Sequence, residues 1–309
     1  MSMAPNDIVH VESLSQLMEF AGWDKPNHPL VAVIDIKDLD NKGMYEEKFN
    51  GIRWSTGLYT IILKDGSCGL TYGRNKYDFE EGVLQFTAPN QVMSTGSYTP
   101  STYGFILAFH PDLVRNFELG KNMRQYSFFG YDVHEALHLS KREEDMLVEI
   151  AMNIRTELEG NIDRFSQEVI VSNIQLMLNY SKRFYERQFI TRTNANSDVV
   201  SQMENLVFDY FEKEMQLKEG IPSPDYFAQN VHLSTNYLSD LLKKETGRST
   251  KEHIDDHIVE LAKDELLSTS NTVNEIAYHL GFNYPHYFSR MFKKKTGISP
   301  AAYRSQPMS

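Results

Sequence analysis

Residues 272–304 read TVNEIAYHLGFNYPHYFSRMFKKKTGISPAAYR, and this sequence predicts two short helices joined by a tight turn. The first helix begins with Thr272-x-x-Glu275, which is a capping box, and its apolar residues then recur at helical spacing. Gly281 follows, where the end of a helix favours a residue that tolerates positive φ. Pro285 suits the first turn of the second helix, because an N–H there has no helical partner. Two helices around such a turn, the second with polar and basic side chains facing outward, are typical of a helix-turn-helix.

The same pattern occurs upstream, in residues 223–250, which read SPDYFAQNVHLSTNYLSDLLKKETGRST. The segment KKETGRS, beginning at Lys243, repeats as KKKTGIS, beginning at Lys293. A repeated segment of this size indicates one supersecondary element used twice, here a first and a second motif. Between them, residues 249–267 open with another capping box and continue with apolar residues at helical spacing, which predicts one connecting helix that sets the separation of the motifs.

The tandem motifs, the connecting helix and the ending GFxxxxYFSRMFKKKTGISPAAYR resemble the DNA-binding domain of the AraC/XylS family of bacterial transcription regulators. The resemblance covers residues 222–304. Two positions depart from the family pattern: His232 stands where a turn glycine is usual, and Ile258 stands where the family often has arginine. The resemblance implies a cytoplasmic, sequence-specific regulator that binds double-stranded DNA, and that contacts RNA polymerase if it is an activator.

The second helix of each motif is expected to enter a major groove, and two grooves on one face of B-DNA lie about one turn, ~34 Å, apart. One chain can therefore read two adjacent groove segments without a palindrome. The expected readers of base edges are exposed residues near the start of each second helix, and they match the family's base-contacting positions. In the first motif they are Asn236, Ser239 and Asp240, with Thr235 and Lys243 nearer phosphate; in the second they are His286, Ser289 and Arg290, with Lys293 on phosphate.

The composition is that of a soluble globular protein, with 41% hydrophobic and 24% charged residues over 309 positions, which is enough for two domains. Cys68 is the one cysteine, so an internal disulfide framework is ruled out and a reducing cytosol fits. The sequence does not begin with a basic-then-apolar signal, and its longest apolar run, residues 30–34, is too short to span a bilayer. We therefore expect a cytoplasmic protein without a membrane partner.

A net charge of −11 argues at first against a nucleic-acid partner. Its distribution along the chain changes that conclusion. Residues 222–309 hold ten basic and ten acidic residues, so the whole excess lies in residues 1–221. Residues 284–304 carry five basic residues and no acidic one, and a local basic face suffices for contact with phosphate.

The N-terminal part has a different pattern, with short strand-like runs at residues 30–36, 58–63, 83–86 and 103–109. A hairpin is expected where LYTIIL and CGLTYG flank an Asp-Gly turn. Many short strands between glycine-containing turns suggest a barrel or jelly roll, and GVLQFTAPNQV resembles a strand of a cupin-type sensor domain.

These patterns predict an α+β protein with two domains. Residues 1–196 are expected to form a cupin-like β-barrel or jelly roll followed by helices, serving effector sensing and dimerisation. Residues 197–309 are expected to form an all-α, AraC-type DNA-binding domain with two helix-turn-helix motifs.

A cupin that binds metal needs a cluster of His and Glu, yet the His-x-His pattern is absent and the segment after Pro89 has no histidine. We therefore expect no metal and no cofactor, but a pocket for a small-molecule effector. Aromatic and arginine side chains are its candidate lining, although each is as often plain core or surface. The candidates are Trp54, Tyr59, Tyr72, Arg74, Phe86 and Phe105.

Two helices are predicted after the strands, one from Ser140, with its capping box, to about Glu159, and one from about Arg164 to Phe189. The second helix carries an apolar seam with alternating spacings of four and three, as in a coiled coil. Either this seam packs on the barrel, or it joins two copies in a homodimer, as the family resemblance suggests. The polar residues 191–197 break the periodicity and mark the expected domain boundary. The seam consists of Ile170, Ile174, Met177, Ser181 and Phe184.

One motif points to a different function: residues 134–138 read HEALH and match H-E-x-x-H. On a helix, His134 and His138 would present two imidazoles to Zn²⁺, with Glu135 as general base. Ser140 caps a new helix directly afterwards, which leaves the motif little helix to occupy, so we expect no catalytic zinc and no enzyme. The function expected is an effector-controlled transcription regulator; the alternatives are a ligand-independent regulator and a cupin-type enzyme with an accessory DNA-binding module.

Overall fold

The structure of the protein is a computed structural model. It describes residues 8–39, 53–65, 82–94, 103–132, 135–160 and 162–305. The expected strand CGLTYG, the candidate pocket residues Tyr72 and Arg74, and His134 of the HEALH motif lie outside these residues. The chain divides into two compact units, an N-terminal unit, Met1–Arg192, and a C-terminal unit, Thr193–Ser309. No helix within the described ranges is long and apolar enough to cross a membrane.

The N-terminal unit combines short strands with helices. Its strands are β1 Ile8–Val11, β2 Val31–Asp35, β3 Arg53–Thr56, β4 Tyr59–Asp65, β5 Gly82–Thr87, β6 Val92–Ser94, β7 Gly104–Phe109 and β8 Leu137–Leu139. Its helices are α1 Leu14–Ala21, α2 Pro111–Val114, α3 Glu118–Asn122, α4 Lys141–Glu159 and α5 Ser166–Thr191. The strands predicted at residues 30–36 and 83–86 are thus present as β2 and β5.

The described strands form two open sheets, one with the order β1-β3-β6 and one with the order β2-β7-β4-β5-β8. In the larger sheet β4 is central, and its Leu63 lies opposite Phe105 on one side and Leu84 on the other, all three buried. These residues do not form the predicted closed barrel. The strand pattern could not exclude an open sheet, because closure depends on which edges meet; here α4 packs against β2 and β7.

Helix α5 buries the seam that the sequence pattern offered as a dimer surface. All five seam residues are buried inside the chain, and the Ser181 hydroxyl donates a hydrogen bond to the Met177 carbonyl at 2.8 Å. The helix packs on α4 and β8 of its own unit. The seam therefore belongs to the core of the N-terminal unit, and it is not available to a second copy.

The described residues of the C-terminal unit form helices joined by turns, with no strand among them. Its helices are α6 Thr193–Glu212, α7 Gln216–Glu219, α8 Pro224–Asn230, α9 Thr235–Thr246, α10 Thr250–Ser268, α11 Val273–His279, α12 Pro285–Thr296 and α13 Pro300–Arg304. The first motif is α8–α9, the second is α11–α12, and α10 is the predicted connecting helix. Helix α6 begins directly after Arg192, so the polar residues 193–197 are helical.

One hydrophobic core runs through the C-terminal unit and includes residues of both motifs and of α10. Ile258, at the position where the family often has arginine, is completely buried in it. The capping boxes predicted at Ser249 and Thr272 are both formed, with Glu252 and Glu275 closing them. Helix α10 is therefore held at its start by a local hydrogen-bond pattern and along its length by packing.

The two motif turns have the same backbone conformation despite their different residues. His232 has φ 57° and Gly281 has φ 89°, both in the left-handed region. In the first turn the Leu233 N–H donates to the Ala228 carbonyl at 2.9 Å, and in the second the Phe282 N–H donates to the Ala277 carbonyl at 3.0 Å. Both turns are therefore Schellman-type helix ends, in which glycine is favoured but histidine is tolerated.

Gly281→Ala is expected to lower the free energy of unfolding by about 1–2 kcal/mol, because an L-residue is strained at this φ. The new Cβ would also lie 3.0 Å from Gln216 Cβ and 3.1 Å from backbone of Gly220. The measurement is urea denaturation of the full chain. His232→Gly is the matched control and should be neutral or stabilising, since it removes a side chain from the same backbone conformation. An alanine variant as stable as the wild type would contradict this account.

Candidate nucleic-acid interface

The second helices of the two motifs, α9 and α12, are closely matched at their C-terminal ends. Each has twelve residues and ends at a glycine in the left-handed conformation. The Gly247 N–H donates to the Lys243 carbonyl at the end of α9, and the Gly297 N–H donates to the Lys293 carbonyl at the end of α12. In α9 the Thr246 hydroxyl donates to the carbonyl four residues earlier at 2.8 Å, and the equivalent bond in α12 is 2.9 Å. The repeated KKxTG sequence is thus a repeated helix end.

Their N-terminal ends differ. In α9 the Ser234 side chain caps the helix by accepting a hydrogen bond from the Tyr237 N–H at 3.2 Å. In α12 the cap position is Tyr284, which makes no side-chain capping bond, and Pro285 supplies the helical φ instead. The second motif also has one more residue between turn and helix.

The residues expected to contact DNA lie on the outward faces of α9 and α12. Residues at spacings of four and three share a helix face, and His286, Arg290 and Lys293 are all exposed on one such face of α12. Asn236 and Lys243 are exposed on the equivalent face of α9, while Ser239, Asp240 and Ser289 are partly exposed. The opposite faces of both helices are buried; their fully or nearly fully buried residues include Leu238, Leu241, Leu242, Phe288 and Phe292.

Thr235 has an additional role within the first motif. Its hydroxyl donates a hydrogen bond to the carboxylate of Asp225, which lies in the first turn of α8. This bond joins the start of α9 to the start of α8. The expected phosphate-side residue of the first motif is therefore held in place by a contact within the motif.

Two exposed tyrosines near these readers were not identified from the sequence. Tyr284 is 60% exposed and Tyr287 is 55% exposed, at the start of α12. Tyr237 occupies the position of α9 that corresponds to Tyr287 and is only 4% exposed. A helical wheel centred on Phe288 and Phe292 places Tyr287 at the edge of the outward face, but the same wheel on α9 places the buried Tyr237 there, so the pattern alone does not separate the two.

A single carboxylate connects the C-terminal ends of α9 and α12. Asp256, on α10, accepts one ion pair from Arg248 at 2.9 Å and another from Lys295 at 2.7 Å. Arg248 directly follows the glycine that ends α9, and Lys295 lies in the last turn of α12. Both helices are therefore tied to the connecting helix by the same side chain.

Two half-buried histidines lie one turn apart on α10, on an open groove of about 540 Å³ in the C-terminal unit. The His253 ring is hydrogen-bonded to the Thr246 hydroxyl at 2.7 Å, and the His257 ring packs against Phe211 at 5.2 Å between ring centres. Burial lowers the pKa of both rings, and for His253 the nearby Glu204 partly opposes that effect on the pKa.

The stability of the C-terminal unit should fall as the pH drops below about 6.5, the ordinary pKa of histidine. The unfolded chain binds protons at His253 and His257 before the folded chain does, because the folded pKa values are lowered. The contribution is therefore fully present above pH ~6.5 and is lost as the pH falls toward the lowered values. Urea midpoints between pH 7.5 and 5 measure it. His257→Phe keeps a ring against Phe211 and should reduce the dependence; an unchanged profile in that variant would contradict this assignment.

The described end of the HEALH motif does not have the helical geometry that a zinc site of this type needs. Its last two residues lie in strand β8, Leu137–Leu139, which pairs with β5. Glu135 and His138 are buried, and the His138 N–H donates to Gln188 Oε1 at 2.8 Å. Residues 137–138 are therefore part of the core sheet.

The four candidate effector residues that the structure describes have different surroundings. Tyr59 and Phe86 both contact the Phe129 ring, with ring centres 4.9 and 5.4 Å away, and burial raises the pKa of Tyr59. Trp54 lies in a separate apolar cluster and contacts Phe20, whereas Phe105 is completely buried.

The N-terminal unit has a separate groove of about 210 Å³, which none of the four described candidates lines. Trp23, Val33 and Arg155 are among its lining residues. Arg155 is held there by ion pairs with Asp38 at 3.0 Å and Glu159 at 2.8 Å. The sequence gives little indication of this groove, because the residues that line it are far apart along the chain.

A family described as a helix-turn-helix domain matches residues 227–306. Among curated proteins, the uncharacterised HTH-type transcriptional regulators YtdP and YfiF of Bacillus subtilis are each 30% identical, over 50% and 47% of this chain and 20% and 42% of their own length. The arabinose operon regulatory protein of Escherichia coli is 37% identical over 25% of this chain and 27% of its own length. The chain thus spans less than half the length of these relatives.

Solved structures also match part of the chain. The C-terminal domain of AraT, a response regulator from Geobacillus stearothermophilus, is 31% identical, and the match covers 35% of this chain and 88% of that one with a TM-score of 0.30. The C-terminal domain of the response regulator yesN from Fusobacterium nucleatum is 29% identical, with 33% and 96% covered and a TM-score of 0.29.

Proposed function

Because the chain belongs to the AraC/XylS family, we propose that it is a transcription regulator that recognises a specific, asymmetric duplex site through α9 and α12. The observation that carries this proposal is the pair of matched recognition helices on one shared core, each with a polar outward face. Such helices fit the major groove, and two of them fixed to one connecting helix fit two successive groove segments.

The charged residues on the outward faces support two separate roles, recognition of bases and contact with phosphate. Arg290, exposed near the middle of α12, has a guanidinium that can donate two hydrogen bonds to the O6 and N7 of one guanine. Lys293 and Lys294 are exposed in the last turn, where a point charge suits phosphate. The first motif has no arginine among its readers, so Asn236 and Asp240 are expected to discriminate there by hydrogen bonds to adenine and to a cytosine amine.

Arg290→Ala is expected to weaken binding and to relax preference at one base position, with a loss of about 1–3 kcal/mol of discrimination. Lys293→Ala is the matched control and should weaken all sequences alike, lowering the salt slope by about one. The full chain is first used to select duplexes from a random pool, and both variants are then measured on single-base variants of the selected site. Failure to enrich any sequence would contradict the proposed function, and identical uniform losses would contradict the role of Arg290.

We further propose that a small-molecule effector controls the protein through the N-terminal unit, whose described strands form two open sheets. Two places support this: the aromatic cluster of Tyr59, Phe86 and Phe129, and the groove beside Trp23, whose indole N–H is buried and has no hydrogen-bond partner among the described residues. A thermal-shift screen of the full chain with small molecules separates this regulator from one that works without a ligand.

A homodimer belongs to the same proposal, but it must use a different face of α5 from the predicted seam. Phe165, at the N-cap of α5, and Val169 and Leu176 within it are 41–52% exposed on that outer face, and Tyr180 is partly exposed. Val169 and Leu176 lie at equal distances on either side of the midpoint between residues 172 and 173, and so do Phe165 and Tyr180. Such a stripe is self-complementary when two α5 helices pack antiparallel about a two-fold axis, as an isologous interface requires.

Leu176→Asp is expected to make the chain monomeric in sedimentation at tens of micromolar, while Gln175→Asp, exposed beside the stripe, should leave a dimer.

Cysteine cross-linking tests the direction of the pair in a chain with Cys68→Ser. Asn173→Cys lies next to the axis and should cross-link to itself, because disulfides need Cα atoms within about 7 Å. Val169→Cys is the control, since in an antiparallel pair its two copies would lie ~10 Å apart along the helices. Cross-linking of Val169→Cys but not of Asn173→Cys would contradict the antiparallel arrangement, and a wild-type monomer would contradict the dimer.

A further inference from the structure

Three rings form an exposed aromatic group at the start of α12. The Tyr287 ring lies 4.2 Å from the His286 ring and 6.1 Å from the Tyr284 ring, which meets it nearly edge-on at 73°. Both tyrosines are more than half exposed. Exposed rings grouped in this way are a candidate place for another molecule to bind.

The comparison between the two motifs shows that this exposure is not imposed by the fold. Helices α9 and α12 have equal length and equal C-terminal ends, and Tyr237 and Tyr287 occupy equivalent positions. The first motif buries its ring, whereas the second leaves it open. The second motif also has Tyr284 where the first has the capping Ser234, so an aromatic side chain stands where a helix-stabilising hydrogen bond would otherwise form.

Tyr287 lies on the flank of the reading face of α12. At 3.6 residues per turn, it neighbours Arg290 one turn later and Lys294 two turns later, on the side opposite Ser289. Its place in the first turn matters, because the N-terminal residues of a recognition helix are the ones that reach base edges.

The chemistry of the major groove selects a partner for an exposed ring there. The edges of guanine, cytosine and adenine present hydrogen-bonding groups, and thymine alone adds an apolar group, its C5-methyl. An aromatic face gains by covering that methyl, whereas against the other edges it would remove polar atoms from water without replacing their hydrogen bonds.

We propose that Tyr287 is a specificity-determining residue that packs its ring against the C5-methyl of a thymine in the groove segment read by α12. The edge-on contact with Tyr284 positions the ring. This inference rests on the proposed function, since it needs a duplex in the major-groove register of α12.

The test removes the methyl from the DNA and the ring from the protein. A duplex selected by the full chain is remade with each thymine replaced in turn by deoxyuridine, which lacks only the C5-methyl. The wild-type chain should lose about fourfold in affinity at one thymine in the α12 segment, the equivalent of ~0.8 kcal/mol for one buried carbon group. Tyr287→Phe should keep this loss, because the ring and not the hydroxyl makes the contact.

Tyr287→Ala should bind thymine and deoxyuridine duplexes equally at that position. Tyr278→Ala is the matched control: its ring is equally exposed but lies on α11, so this variant should keep the fourfold difference. If the wild type binds its selected duplex but no replacement changes affinity by more than twofold, or if Tyr287→Ala retains the difference, the inference is overturned. A chain that selects no duplex overturns the proposed function itself.

Discussion

The contact between α10 and both helix-turn-helix motifs is the constraint on which the C-terminal unit depends. Ile254, Ile258 and Leu266 on this one helix are buried in a core that also contains Leu238 of the first motif and Phe288 of the second. Because protein cores are packed as densely as crystals, the orientation of each motif follows from this contact. The ion pairs of Asp256 add a polar connection at the ends of α9 and α12, so the separation of the two recognition helices is a property of packing and not of a flexible linker.

Much of the C-terminal unit could be predicted because its signals are local. Capping boxes at Ser249 and Thr272, a proline at the start of α12 and glycines at helix ends each act within a few residues, and the repeat supplied a second copy of the same pattern. The burial of Tyr237 and the exposure of Tyr287 could not be predicted from the repeat, because equivalent positions on equal helices have different neighbours. Helix α9 packs on α6, α8 and α10, whereas α12 packs on α10, α11 and α13.

In the N-terminal unit, the spacing of apolar residues predicts neither which face of α5 is buried nor how the strands pair. Helix α5 has two apolar stripes, and spacing alone does not say which one faces the sheet; the better coiled-coil pattern is the buried one. The individual strands were visible in the sequence, but closure into a barrel is a question of long-range pairing that no local pattern answers. Long-range pairing also decides the structure at the end of the HEALH motif, which is a strand because Leu137 pairs with Leu84.

The single extra residue in the turn of the second motif, together with Tyr284 in place of Ser234, makes the two halves of the C-terminal unit unlike. A molecule built from two identical readers fits its site equally well when it is turned end for end. On the proposed duplex site this chain would not have that freedom, because reversal would bring each recognition helix to the bases read by the other. It would therefore have a head and a tail along the double helix. Such polarity would let the chain distinguish one orientation of its site from the other.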